Sequence, residues 1–353
     1  MSPTNPELRQ FITQLFNDEE LETLCFDYFP EALNDFGDGM GKNRKVIALI
    51  GHCERRDRLA DLQAALERER TEAWNRTFAP QPVETPRQSV STTVIERDPR
   101  QIFRIHKKTG IEMVRIPAGP FLYGANDNDA MAKDNEKPQR TIDLPEYLIS
   151  LTPVTNTKFA EFIQATGYVT TAEQRGLGWG WTGIKWENIQ DAQWRHPCGL
   201  GSSSVGNDNH PVIQVSWEDA KAYCDWAELV LPSEEQWEKA ARGTDARIWP
   251  WGNDPPTSRH CNFNRNVGGT TPVGKFSPTG DSPYGCADMA GNVWEWTGSK
   301  YENDTEQIMY MLRGGSWDYN QRFVRVSVRS KRPPEFSSIS RGFRVAAPVD
   351  FGC

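Results

Sequence analysis

Apolar positions in the first 75 residues recur at helical spacing. Leu8, Phe11, Ile12, Leu15 and Phe16 follow Pro6 in the pattern of one buried helix face. Asp18-Glu-Glu predicts the start of a second helix carrying Leu21, Leu24, Cys25 and Phe29. A Gly-containing break at 37–41 precedes a third helix with Val46, Ile47, Leu49 and Ile50, and a fourth carries Leu59, Leu62, Ala65 and Leu66. From residue 102 the texture changes to short strand-like runs separated by long loops. Strands are predicted at Glu112-Met-Val-Arg-Ile, Pro145–Leu151, Met311–Trp317 and Gly342–Ala346. Helical patches are predicted at Thr155–Thr166, Trp217–Leu229 and Ser233–Gly243. In the last, Ser233 as N-cap, Gln236 three residues on and Gly243 as stop form a start and stop signal. Between the two textures, 76–101 is rich in Pro, Ser and Thr and reads as a flexible linker. The expected organisation is a helical domain over 1–75, a linker over 76–101 and a loop-rich domain over 102–353.

Composition sharpens this division. Of 13 Trp, all but Trp74 lie after residue 178, so aromatic packing belongs to the second region. The chain has 353 residues with 40 Lys and Arg against 48 Asp and Glu, a net charge of −8. That acidity argues against nucleic acid as the partner. The first 75 residues hold 9 basic and 15 acidic side chains, which are either a solvated surface or a charge-complementary docking surface. Seven dispersed cysteines form no CxxC pair, so neither a disulfide framework nor a zinc knuckle is indicated. The N-terminus lacks the basic and apolar segments of a signal peptide, and no run approaches the roughly 18–20 apolar residues of a membrane span. A cytoplasmic protein without a membrane segment is the expectation.

The second region carries many motifs in order: Met113-Val-Arg-Ile-Pro-Ala-Gly-Pro-Phe, Pro153-Val-Thr-Asn-Thr-Lys-Phe, Leu231-Pro-Ser-Glu-Glu-Gln-Trp-Glu-Lys-Ala-Ala-Arg-Gly, Asp288-Met-Ala-Gly-Asn-Val-Trp-Glu-Trp, Arg313-Gly-Gly-Ser-Trp and Gly342-Phe-Arg. With these it resembles the formylglycine-generating-enzyme, or sulfatase-modifying-factor, family of C-type-lectin folds. The implied fold class is α+β, a small all-α bundle followed by a loop-rich lectin-like domain. Copper-dependent members use two cysteines after the Gly-Gly-Ser strand, because Cu(I) needs soft thiolates. The corresponding places here are Tyr319 and Val324, and no Cys lies between Cys286 and Cys353. Iron-dependent members need a His-rich facial site. The five His here form no such cluster, and His52 reads as a solvated or packed residue. Neither copper nor iron is expected. The family's structural calcium site carries over to Asp288, Gly291, Val293 and Glu295, hard oxygen donors in a tight loop. For Glu295 the other reading is a buried carboxylate paired with an Arg.

After Trp317, a framework of Arg and Gly alternates with Tyr, Phe, Ser, Asn, Asp and Ile. This stretch resembles the variable proteins of diversity-generating retroelements, lectin-fold binders whose last segment is rewritten at template adenines. Change of an AAC codon gives NNC codons, and Asp318, Tyr319, Asn320, Phe323, Ser327, Ser330, Phe336, Ser337, Ser338, Ile339 and Ser340 all pass that filter. Rigid rings beside short hydrogen-bonding side chains suit an adaptable binding surface. Trp179, Trp181 and Trp186 are expected beside it. The first 75 residues resemble the death-like, effector-associated domains of bacterial conflict systems, through the apolar positions above and Cys53-Glu-Arg-Arg-Asp-Arg-Leu. That resemblance implies docking of an effector such as a protease; the plainer reading is a helical cap. Together these features point to a recognition protein with a protein ligand. The competing readings are a metal-dependent oxidase or oxygenase with an atypical site, and a scaffold without a ligand.

Overall fold

The computed structural model describes residues 3–36, 40–70, 74, 103–127, 129–301 and 307–349. The expected linker at 76–101 lies outside the described residues. The described residues form a helical unit and a larger loop-rich unit.

The helical unit contains α1 (Asn5–Leu15), α2 (Asp18–Tyr28), α3 (Lys42–Arg55) and α4 (Leu59–Glu69). Asn17 starts α2 one residue before the acidic run. Its side chain accepts from the Glu20 N–H, while the Glu20 carboxylate accepts from the Asn17 N–H, both at 2.8 Å. The predicted stripe is the core: Leu8, Phe11, Ile12, Phe16, Leu21, Leu24, Val46, Leu49, Leu62 and Leu66 are all buried. Ile47 departs from the expectation. It sits on the outer side of α3, 47% exposed, and lines a groove of some 640 Å³ between α1 and α3 with Arg9, Thr13, Asn43 and Glu54. His52 is packed, fully buried with Nδ1 2.9 Å from the Asp35 carboxylate.

The loop-rich unit holds two four-stranded sheets and two hairpins. In the first sheet, β1 (Phe103–Ile105), β2 (Glu112–Ile116), β5 (Tyr147–Ser150) and β12 (Ala346–Pro348) lie in that order and are antiparallel throughout. In the second, β10 (Arg329–Arg332), β9 (Tyr310–Arg313) and β8 (Trp294–Lys300) are antiparallel, and β11 (Arg341–Phe343) joins β8 in parallel. Hairpins β3–β4 (Gly119–Tyr123 with Arg140–Leu144) and β6–β7 (Leu177–Trp181 with Trp186–Gln190) stand beside them. The helices are α5 (Asn156–Thr166), α6 (Thr171–Arg175), α7 (Trp217–Ala227) and α8 (Glu234–Arg242). Helix α8 starts as predicted. The Gln236 N–H donates to Ser233 Oγ at 3.1 Å, the Ser233 N–H donates to the Gln236 amide oxygen at 2.8 Å, and Gly243 follows the last turn.

The core is aromatic, as the Trp distribution implied. Phe159, Phe162, Trp194, Tyr223, Trp294, Trp296 and Phe343 form one buried cluster, and Trp237 anchors a second. Two indole N–H groups tie these aromatics to backbone carbonyls. Trp296 donates to Val215 O at 3.1 Å and Trp217 to Thr297 O at 2.9 Å. No helix among the described residues is long and apolar enough to cross a membrane.

Candidate functional site

The site begins with the period-2 logic of β6. In Leu177-Gly-Trp-Gly-Trp, Gly178 and Gly180 face inward and are buried, while Trp179 and Trp181 face outward, half-buried. A Cβ on Gly180 would meet the Ile189 side chain at 2.5 Å, so glycine lets the hairpin close on its neighbours. The Trp179 N–H donates to Ser337 O and the Ile339 N–H to Trp179 O, both at 3.1 Å. Segment 337–339 is thereby tied to the hairpin. The Trp179 ring lies 6.2 Å from Phe336, Trp181 lies 5.9 Å from Trp186, and Trp186 lies 6.4 Å from Trp317.

The neighbouring loop starts at the Gly314-Gly315 turn. Gly315 has φ +72°, and a Cβ there would lie 2.4 Å from Phe323 O, so the turn admits glycine alone. Ser316 Oγ donates to Asp318 at 2.6 Å, and the Trp317 indole donates to Ile339 O at 3.3 Å. Tyr319 packs edge-on against Trp294 and Phe323, at 5.6 and 5.0 Å. Asn320 caps the short turn Gln321–Val324 by accepting from the Arg322 N–H at 3.1 Å. Segment 264–265 is laced to this loop by Asn264 N–H to Tyr319 O (2.7 Å) and Arg265 N–H to Trp317 O (2.6 Å).

Of the expected contact residues, Asp318, Tyr319, Phe323, Ser330, Phe336 and Trp181 are half-buried and Asn320 is exposed. Ser327, Ser337, Ser338, Ile339 and Ser340 are instead buried, and this corrects the expectation. Ser327 Oγ donates to the Glu136 carboxylate at 2.7 Å, and Ser338 and Ser340 pair with each other at 3.4 Å. Ile339 lies under Gly180. A codon filter says nothing about which way a side chain points, and outside regular strands no period supplies that information. The site also contains residues the expectation missed. Arg265 lies 4.6 Å over Trp181, while Arg341 and Arg332 lie 4.7 and 5.6 Å over Phe336. The interleaving of Arg332, Phe336 and Arg341 was the available signal.

Beneath the face lies a framework of buried ion pairs. Arg313 donates to Glu234 at 2.8 Å, to Glu238, and to Val326 O at 2.6 Å. Arg329 grips both Glu234 oxygens at 2.6 Å, and the two cations hold that buried carboxyl below its usual range against the opposing effect of burial. Arg325 pairs with Asp129 and Glu136. Each of these charges has an opposite charge within the unit, which holds the backbone on which the aromatic side chains stand.

The calcium expectation concerns Asp288, Gly291, Val293 and Glu295. Asp288 is buried, accepts from the Gly274 N–H at 2.6 Å, and is pushed up to about 6 by burial. Glu295 is committed elsewhere. Its carboxylate accepts from Arg344 at 2.6 and 2.8 Å and from the Trp237 indole at 2.6 Å. The arrangement is therefore the Arg-paired alternative for Glu295, and this donor set does not fit a two-carboxylate calcium cage.

Residues 99–349, well over half of the chain, match the sulfatase-modifying factor enzyme 1-like domain. The chain belongs to that family. Residues 8–71 match effector-associated domain 7, so the helical unit is an effector-associated domain. The formylglycine-generating enzyme of Thermomonospora curvata is 37% identical over 289 residues, covering 67% of this chain and 93% of that protein. The inactive Cα-formylglycine-generating enzyme 2 of Bos taurus is 35% identical over 273 residues, covering 67% of this chain and 88% of its own. Active and inactive relatives thus share this fold. Among solved structures, PvdO from Pseudomonas aeruginosa aligns with a TM-score of 0.58 at 24% identity, covering 70% of this chain and 98% of that one. Treponema denticola variable protein 1 aligns with a TM-score of 0.50 at 20% identity, covering 71% and 100%. The lectin-like α+β fold is common to both.

Within that family fold, the two copper positions hold the half-buried Tyr319 and the fully buried Val324, neither of which offers a thiolate. Burial favours the protonated thiol at Cys286, which is pushed up to about 11, and at Cys224 and Cys261, which are raised as well. Among the described residues no group of three or more His, Cys, Asp or Glu side chains is arranged to hold a metal.

Proposed function

We propose that the chain is a non-catalytic recognition protein of the sulfatase-modifying-factor family. Its lectin-like face binds a protein ligand, and its effector-associated domain recruits an effector protein such as a protease. The observation that carries this reading is the face itself. Half-buried Trp179, Trp181, Trp186, Tyr319, Phe323 and Phe336 stand in ring pairs on an ion-paired base, and Tyr319 takes one of the two positions that the family resemblance aligns with copper-binding cysteines. Large preorganised rings contribute contact area at low entropic cost, which suits binding. Rewriting of the 318–340 segment by a retroelement belongs to the same reading. It is tested by searching the flanking DNA for a near-copy of these codons that differs at adenines, beside a reverse transcriptase gene.

The competing oxidase or oxygenase reading separates cleanly. The purified full-length protein is expected to retain far less than one equivalent of copper or iron by elemental analysis, and to leave a cysteine-containing peptide unoxidised in the presence of added copper. Stoichiometric metal with turnover would overturn the binding reading. For the helical unit, Ile47 on the α1–α3 groove is an exposed apolar contact. Replacing it with Glu is expected to weaken effector capture by about tenfold or more while leaving ligand binding by the lectin-like unit unchanged. Unchanged capture would move the docking surface elsewhere on the domain.

A further inference from the structure

Two groups of arginines in the lectin-like unit contrast. Arg313, Arg325, Arg329 and Arg344, all in the framework, each have a carboxylate in ion-pair contact. Arg265, Arg332 and Arg341, all on the aromatic face, have none among the described residues, and each is held instead over a ring. Arg341 is the decisive case. It is 4% exposed and donates from Nη1 to Ser340 Oγ at 3.2 Å; its Nε has no hydrogen-bond partner, as is also true of Arg242 and Arg313, but unlike those two it has no carboxylate in ion-pair contact. Burial lowers its pKa to about 10, with Arg332 adding repulsion and the charges of Asp318 and Tyr319 opposing. A desolvated guanidinium without a carboxylate in ion-pair contact is costly to the folded state, and the Asp318 charge and a hydrogen bond with Tyr319 offset that cost only in part. Proteins keep such strain where a ligand relieves it.

From this geometry we infer that the face contains a carboxylate-recognition site. Arg332 and Arg341, both against the Phe336 ring, take an acidic side chain or C-terminal carboxylate of the protein ligand, the half-buried Arg332 by direct contact and the buried Arg341 through its charge, and Arg265 over Trp181 attracts further negative charge. The assignment rests on the binding reading above and specifies its chemistry. The guanidinium fork matches a planar carboxylate. Arg265 stands in a strained segment, since it and Asn264 both adopt left-handed backbone, at φ 57° and 52°, and the Arg265 N–H is tied to Trp317 O at 2.6 Å. The cation is thus held in place over its ring before any ligand arrives.

The test uses the full chain and defined probes: a short end-blocked peptide alternating Glu and Tyr, its Gln counterpart, and an oligothymidylate, each titrated by Trp fluorescence at low salt. The Glu peptide is expected to bind about tenfold or more tightly than the Gln peptide, and Arg341→Met to reduce that preference to about threefold or less. Arg341→Met is also expected to melt no lower than the wild type in the absence of ligand, because it removes an unpaired buried charge. If that variant does not fold, Arg332→Met at the half-buried position gives the same readout. Equal binding of the Gln peptide, no binding of either peptide, an unchanged preference in the Arg variants, or tighter binding of the oligothymidylate each overturns the site. Partner capture that persists while the Glu preference is absent would remove the carboxylate site alone. Failure of capture by the wild type would remove the binding reading itself.

Discussion

Replacing Arg344 with Met is expected to destabilise the lectin-like unit by about 4–5 kcal/mol. Arg344 lies in the two-residue link between β11 and β12, where the chain crosses from one sheet to the other. It is fully buried. It donates twice to Glu295 on β8, at 2.6 and 2.8 Å, and to the carbonyls of Ser150 (3.1 Å) and Ala287 (2.8 Å). Its removal strands a fully buried carboxylate with the Trp237 N–H as its remaining strong donor. Arg313 makes the instructive comparison. If it is replaced, Glu234 keeps Arg329 and Glu238 keeps Arg242 at 3.1 Å, so the expected loss is smaller, about 3 kcal/mol. Adding Glu295→Leu to Arg344→Met is expected to recover about 2 kcal/mol by removing the orphaned charge. Denaturant unfolding followed by Trp fluorescence reports mainly on this unit, since Trp74 is the one indole that precedes it. A loss near 1 kcal/mol for Arg344→Met, or a double variant no more stable than the single one, would show that the pair does not anchor the two sheets.

The same residues show what a sequence reveals. Local rules were legible: the Ser233–Gln236 box, the apolar stripe of the helical unit, and the short β2 run each depend on neighbours a few residues apart. The fold was legible because its motifs are long and ordered. Burial of charge was not. Helix α8 reads Glu-Glu-Gln-Trp-Glu-Lys-Ala-Ala-Arg, the composition of a solvated helix, yet Glu234, Glu238, Lys239 and Arg242 are all buried. Their partners, Arg313 on β9 and the carbonyls of Pro117 and Gly119, are distant in the chain. The parallel pairing of β11 with β8 and the return of β12 to β5 are long-range for the same reason. At the candidate site, residue types identified the aromatic face, but orientation separated Tyr319 and Phe336, which reach it, from Ser338 and Ser340, which lie beneath it. Glu295 was read with two possible partners, and the cation that holds it is Arg344, 49 residues further along the chain.

Single substitutions of Trp181, Tyr319 or Phe336 with Ala are each expected to weaken the protein ligand by about 30-fold, near 2 kcal/mol. Phe336 is the centre of the face. Trp179 lies 6.2 Å from its ring, and Arg341 and Arg332 stack on it at 4.7 and 5.6 Å, so its loss removes one anchor and releases the others. Trp181 is held between Trp186 at 5.9 Å and the Arg265 guanidinium at 4.6 Å. Tyr319 packs on buried Trp294 as well as Phe323, so its Ala variant is also expected to lose about 1–2 kcal/mol of stability, whereas Trp181 stands on a hairpin and its loss leaves the core intact. The rim sets the scale. Asn320 and Glu335 are exposed, and their Ala variants are expected to change affinity by less than about threefold. Binding of the captured ligand to immobilised full-length protein, with the melting midpoint of each variant measured alongside, distinguishes the two patterns. Equal effects at ring and rim positions, or none at either, would place the ligand on another surface. A steep difference at unchanged stability for Trp181→Ala would make the rings the source of affinity, with the ion-paired framework beneath acting to hold them in place.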